Sequence, residues 1–352
     1  MICNSIPLSL IFVNVNAIIQ NQSLKQYNTF GIDVNASYFA AFDTVNTLSE
    51  ILASSTYKQN RSLILGGGSN ILFTKNYEGL VLHNLLKGIS TTQISEHEYH
   101  VSAAAGEVWH ELVLYTIANN LGGMENLSLI PGFVGASPMQ NIGAYGVEIK
   151  DIFVSLKAME VATGLIKTFT KEECQFGYRE SFFKRAGKGK FIILEVTFQL
   201  STKHQLNTSY GAIEQELAKM NAAPTIKNIS QAVINIRSSK LPNPKEIGNA
   251  GSFFKNPTIA ISHYETLKKQ YPELPGYPID EHNIKTAAGY LIEKCGLKGF
   301  RKEDAGVHQM QALVLVNYGK ASGHQIYDLS SLVIEKVKDV FGIELEREVN
   351  II

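Results

Sequence analysis

The chain has little cysteine. Three occur in 352 residues, Cys3, Cys174 and Cys295, far apart, odd in number and without a C-x-x-C. That pattern offers neither a disulfide framework nor a four-ligand zinc site, and it fits a reducing cytosol. No H-E-x-x-H occurs among the nine histidines; His97 and His100 form a lone pair read as solvated, and no metal is expected. An excess of either charge is also missing, since 32 Lys+Arg balance 32 Asp+Glu. Nucleic acid is therefore not an expected partner. No repeat and no low-complexity tract is present. The first charge is Lys25, so the apolar residues 6–13 lack the basic region that a secretory signal requires. Asn14, Asn16 and Asn21 interrupt the chain beyond them, and residues 1–26 read as an N-terminal extension, either an accessory strand or disordered chain.

Charge is missing altogether from one long stretch, residues 127–146, LSLIPGFVGASPMQNIGAYG. Four glycines and two prolines break it too often for a membrane span or one long helix. Such a stretch can bring bare backbone close to another group, and successive N–H groups can cradle a pyrophosphate without Lys or Arg. A tight buried crossover is the plainer reading. A second glycine run, Gly66-Gly67-Gly68-Ser69-Asn70, lies between apolar strands 62–65 and 71–73. It lacks the third spaced glycine and the helix of a dinucleotide fingerprint. A phosphate cradle and a plain hairpin turn both stay open.

Elsewhere, Asp43 is placed to cap a helix whose face carries Val45, Leu48, Ile51 and Leu52. Strands are expected at 79–83, 98–104, 152–162, 165–169, 191–200 and 312–316, with Thr163-Gly164 as a hairpin signal. Helices are expected around 108–115, at 211–220 and 230–237, near 261–271 and 286–295, and at 324–341. The last has Ile326, Leu329, Val333, Val337 and Val340 on one face and Gly342 at its end. Residues 241–244, with two prolines, read as a linker. Residues 343–350 alternate, placing Glu344, Glu346, Glu348 and Asn350 on the polar face of a closing strand. Short strands mixed with scattered helices predict an α+β protein, not a doubly wound sheet.

Three further segments could carry chemistry. In residues 248–257, GNAGSFFKNP, Ser252 follows a glycine but lacks the G-x-S-x-G of a nucleophile elbow. In residues 176–184, FGYRESFFK, Arg179 lies among aromatics, where a guanidinium can clamp a carboxylate or simply pack. Glu348 shares its face with two other carboxylates and reads, by itself, as solvated.

Together and in this order, these segments resemble the MurB family of UDP-N-acetylenolpyruvoylglucosamine reductases. The resemblance runs from about Tyr27 to Val349 through NTFG (28–31), ILGGGSN (64–70), ENLSLIPGFVGASPMQNIGAYG (125–146), FGYRES (176–181), GNAGSFFKNP (248–257), AAGYLIEKCGLKG (287–299) and Glu348-Val349. It implies an FAD-binding fold of the vanillyl-alcohol-oxidase/PCMH type over residues 27–202, in two parts at about 27–88 and 89–202. A connecting segment, 203–240, and a substrate-binding domain, 241–352, complete the implied order. By resemblance, FAD is held non-covalently by Leu65, Gly66, Gly67, Gly68, Ser69, Asn70, Ile130, Pro131, Gly132, Gly135, Ala136, Ser137, Met139, Gln140, Asn141, Gly143 and Gly146. Arg179, Ser252 and Glu348 match the family's catalytic residues, and Tyr145, Tyr210, Arg237, Lys240, Asn256 and Gln311 its substrate contacts.

The implied reaction uses NADPH to reduce FAD and then the enolpyruvyl ether of a UDP-sugar, in peptidoglycan synthesis. It implies small-molecule partners only, a cytoplasmic setting and no membrane; the sequence leaves the oligomeric state open, with a monomer favoured. The alternatives are another flavin oxidoreductase of the same superfamily, or a non-catalytic flavin- or UDP-sugar-binding protein. A sensor would need no proton donor, so Arg179, Ser252 and Glu348 together favour the reductase. The chain departs from the family where Asn350 stands in place of a common arginine. That leaves open which group orients Glu348.

Overall fold

The computed structural model describes residues 18–352. Cys3 and the apolar 6–13 segment lie outside them. Three small assemblies build the fold. The first is a four-stranded sheet ordered Ile19–Ser23, Asn35–Phe42, Tyr77–Asn84, Ser62–Leu65. Its last three strands run parallel, and Ile19–Ser23 adds an antiparallel edge. Part of the expected 1–26 extension is therefore an ordered strand, because Ile19–Ser23 pairs with Asn35–Phe42. The helix Val45–Ala53 is capped by the Thr44 side chain and not by Asp43. Thr44 has the extended backbone that lets its oxygen reach the Thr47 N–H.

The second assembly is a five-stranded antiparallel sheet ordered Ile166–Thr170, Phe153–Glu160, Phe191–Ser201, Glu98–Ala104, Ile89–Gln93. The edge strand Ile89–Gln93 gives no apolar alternation in sequence because its residues, ISTTQ, are mostly polar and exposed. Inward-facing residues of these strands bury the helix Trp109–Ala118, with Trp109 edge-on to Phe198 at 5.7 Å between ring centroids.

The third assembly pairs Gly248–Ser252, Val314–Asn317, Ala305–Val307 and Arg301–Lys302, with a separate three-stranded sheet of Thr258–Ala260, Asn283–Thr286 and Gly276–Pro278. The helix Gly323–Phe341 opens on a Ser322/Gln325 capping box and closes on Gly342 in the left-handed region. Ile326, Leu329, Val333 and Val337 are buried along it, but Val340 is 45% exposed. One core joins this assembly to the first sheet: Phe30, Leu72 and Phe73 pack with Phe253, Phe254 and Val333. Asn317 Nδ2 donates to the Phe30 carbonyl across the join, at 2.9 Å.

The closing residues do not form the continuous strand that their alternation predicts. Arg347 makes a single bridge to Phe254, and only Asn350–Ile351 is a strand, parallel to Ile71–Leu72. Ile343, Leu345 and Val349 are buried as expected, but Glu348 does not join Glu344 and Glu346 in solvent.

Candidate active site

The two glycine segments meet. Ser69 Oγ donates to the Pro131 carbonyl at 3.1 Å. A Cβ on Gly67 would stand 3.0 Å from Gly132 Cα, and one on Gly132, where φ is +116°, would stand 2.7 Å from Ser69 Oγ. Only glycine allows two backbones this close. The turn is not a hairpin, because Ser62–Leu65 and Ile71–Leu72 belong to different sheets. Beside the turn lies a cavity of about 310 Å³ lined by Gln26, Tyr27, Gly66, Gly67, His83 and Phe133. His83 stacks on Phe133 at 6.0 Å. An uncharged backbone cradle opening onto an aromatic-walled cavity fits a dinucleotide with a pyrophosphate and flat rings.

The residues expected at this cradle divide in two. Leu65 to Asn70 and Ile130 to Gly132 form it. Gly135 packs on Ala105, where an added Cβ would clash at 2.6 Å. Ala136 and Met139 are exposed on the short helix Val134–Met139. Ser137 is buried and spends its hydroxyl on the Val134 carbonyl. Asn141 holds Glu148 Oε2, the Gly177 carbonyl and the Lys150 N–H, so it shapes the turn. Gly146 packs on Asn207.

Gln140 links the cradle to a second cluster. Its Oε1 accepts from Asn70 Nδ2 at 2.8 Å, and its Nε2 donates to Glu348 Oε1 at 3.1 Å. Arg179 Nε stands 3.0 Å from the same Oε1, and the two side chains are only 19% and 11% exposed. The question left by Asn350 is thus answered: Arg179 and Gln140 orient Glu348, while Asn350 Nδ2 donates to the Asn70 carbonyl. Burial pushes the Glu348 carboxyl above its ordinary range, against the pull of Arg179, Lys184 and Lys255. Arg179 sits at φ +55° in a tight turn closed between Gly177 and Glu180, and its Nη2 donates to the Gly143 carbonyl at 2.8 Å. A non-glycine residue held there is a strained position of the kind found at functional sites.

Ser252 ends the strand Gly248–Ser252, just after Gly251 at φ +69°, and is exposed, its hydroxyl without a hydrogen-bond partner among the described residues. The next residues run against the closing segment: the Glu348 N–H donates to the Phe253 carbonyl at 2.8 Å. Ser252 and Glu348 therefore lie on paired segments although 96 positions apart, the difference between 348 and 252. Asn256 Oδ1 accepts from the Ala288 N–H at 3.0 Å and hydrogen-bonds Tyr178, whose phenol burial pushes up. Gln311 Oε1 accepts from Leu313 N–H at 3.4 Å and faces Gly289, which with Ala288 opens the helix Ala288–Lys294.

Tyr145 and Tyr210 pack edge-on at 5.3 Å, and Tyr145 hydrogen-bonds Arg237, whose Nε also donates to the Leu129 carbonyl. Lys240 stands exposed at the end of the helix Ile226–Lys240, and no described contact joins it to the cluster.

Sequence reasoning did not single out Tyr178, Lys184, Lys255 and Lys285. Lys285 lies over the Tyr178 ring at 3.7 Å. Tyr178 and Lys255 fall within the quoted motifs, and a lysine placed directly after two phenylalanines was the available signal. Lys285, on a short strand far along the chain, had none.

A close-packed glycine cradle set against a partly buried arginine–carboxylate pair suits a dinucleotide-dependent enzyme, and the match to an FAD-binding domain makes the class that of FAD-dependent proteins. A model of an FAD-binding domain matches residues 36–170, and one described as UDP-N-acetylenolpyruvoylglucosamine reductase, C-terminal domain, matches residues 243–352. UDP-N-acetylenolpyruvoylglucosamine reductase of Flavobacterium johnsoniae is 53% identical, covering 94% of this chain and 98% of that protein. The protein of the same name from Chromobacterium violaceum is 47% identical over 92% and 96%. The crystal structure of that reductase from Thermus caldophilus superposes with a TM-score of 0.65 at 22% identity, covering 95% of this chain and 98% of that one. The chain belongs to the UDP-N-acetylenolpyruvoylglucosamine reductase family.

Proposed function

We propose that this chain reduces the enolpyruvyl ether of UDP-N-acetylglucosamine enolpyruvate to UDP-N-acetylmuramate, with NADPH as reductant, in the cytoplasmic synthesis of peptidoglycan precursors. The observation that carries the reading is the Arg179–Glu348 pair, joined through Gln140 to the glycine cradle and paired in backbone with the Ser252 segment.

Gly66 to Asn70 and Ile130 to Gly132 would hold the FAD pyrophosphate. When bound there, FAD would supply the hydride chemistry that passes reducing equivalents from NADPH to the enolpyruvyl carbon C3. Negative charge then gathers on C2 and the adjoining carboxylate, and Arg179 is the cation assigned to meet it. An ionised Glu348 would neutralise that cation; a protonated one leaves it free. Burial favours the protonated form. Arg179 and Gln140 both reach Oε1, so the proton belongs on Oε2. Ser252, solvent-accessible and free of partners, is assigned the proton delivered to C2. Lys184 and Lys285 add positive charge for a substrate that carries a carboxylate and a pyrophosphate. Tyr145, Tyr210 and Arg237 offer a second, aromatic wall for the UDP portion, with Lys240, Asn256 and Gln311 as further contacts. The chain acts alone, as a monomer, on small molecules.

The test is anaerobic. NADPH should bleach the bound flavin, and the enolpyruvyl substrate should restore its colour. Bleaching without restoration would leave a flavin-binding protein and remove the reductase.

A further inference from the structure

Lys255 lies three residues beyond Ser252 with 9% of its side chain exposed. Its ammonium is 2.9 Å from Glu180 Oε1 and 2.6 Å from Glu346 Oε1. Glu180 directly follows Arg179, and Glu346 comes two residues before Glu348. One buried cation therefore bonds a sequence neighbour of two groups in the proposed chemistry and shares a segment with the third. The backbone repeats the tie, since the Lys255 N–H donates to the Glu346 carbonyl at 2.9 Å. Arg185 holds the other oxygen of Glu180 at 2.9 Å. A buried ammonium is costly unless paired, and this one is paired on both sides.

We propose that Lys255 is a positioning residue: its ammonium fixes the segments bearing Arg179, Ser252 and Glu348 in one register and sets the charge that Glu348 experiences. The proposal rests on the reductase reading above. Arg179, Lys184 and Lys255 face Glu348 as cations, Tyr178 as a phenol and Gln140 as a neutral donor. Glu180 and Glu346 stand behind Lys255. Without the Lys255 charge, those two carboxylates act on Glu348 uncompensated, and it keeps its proton to higher pH. Without the Glu346 charge, Lys255 acts on Glu348 more strongly, and the proton leaves at lower pH. The two changes have opposite signs, which loose packing alone would not produce.

The experiment uses the full flavin-loaded chain, with each half-reaction followed by anaerobic stopped flow across pH. Lys255→Met should leave flavin reduction by NADPH nearly unchanged and slow reoxidation by the enolpyruvyl substrate about 10²-fold, the cost of a misplacement near 1 Å. Its alkaline limb should move up. Lys255→Arg should recover much of the rate. Glu346→Gln alters a carboxylate that is 68% exposed, so it tests the proposal even where Lys255→Met does not fold; its alkaline limb should move down. Unmoved limbs, limbs moving the same way, or equal slowing of both half-reactions would overturn the proposal. If the unaltered chain is not reoxidised by the substrate, the reductase reading fails and takes the proposal with it. If it is reoxidised and the variants do not behave so, only the proposal fails.

Discussion

Replacing Ser252 by alanine separates binding from proton transfer. The hydroxyl is exposed and bonds nothing among the described residues, so its removal leaves no cavity and no orphaned partner there. Stability should change by no more than about 0.5 kcal/mol, as at ordinary surface sites. The backbone pairing of Ser252 with Val314 and the left-handed Gly251 before it are untouched. The cradle at Gly66 to Asn70 lies on other segments, so FAD content should not fall, and neither should its reduction by NADPH. The loss should sit in the substrate half-reaction. Removing a positioned general acid costs about 10²–10⁴-fold, roughly 3–5 kcal/mol of barrier. Stopped-flow absorbance of the flavin reads each half separately. Equal slowing of both halves would make Ser252 a ligand-positioning residue, and no slowing of either would remove it from the chemistry.

Gln140→Leu, close to isosteric, should slow substrate-driven reoxidation about tenfold or more, since about 1–3 kcal/mol of hydrogen bonding to Glu348 and Asn70 is lost; an unchanged single-turnover rate would sink this. Gly67→Val should purify colourless but folded, because its side chain would enter the contact with Gly132; full flavin occupancy by absorbance would contradict the cradle. The flavin should be non-covalent and pass into the supernatant on acid precipitation, since neither cysteine nor histidine occurs among Gly66 to Asn70 or Ile130 to Gly132; colour in the pellet would refute that. A chain beginning at Ile18 should keep its melting temperature and activity, whereas one beginning at Leu24 should melt lower, because it strips the edge strand from Asn35–Phe42. A sequence-based truncation near Asn21 would cut through that strand, and equal melting of all three chains would show the pairing to be dispensable.

Sequence by itself settled the class of elements and the family. The period of Gly323–Phe341, the Thr163-Gly164 hairpin and the glycine runs are local features, fixed by propensity and backbone freedom over a few residues. Val340 shows the limit of that reading: it keeps the helical period, but Phe341 beside it takes the buried position and leaves Val340 at the edge of the covered face. Only the tertiary structure decided that Gly66–Asn70 is not a hairpin turn, because its flanking strands join different sheets. It also decided the fate of Glu348, which alternation assigned to solvent. The closing residues form no continuous strand, Arg347 making a single bridge to Phe254, and a largely buried side chain can be polar beside it because Arg179 and Gln140, far away in sequence, satisfy it. Lys255 was legible only as a lysine after two phenylalanines. Its two carboxylate partners lie 75 and 91 residues away, and no local period carries information over that distance.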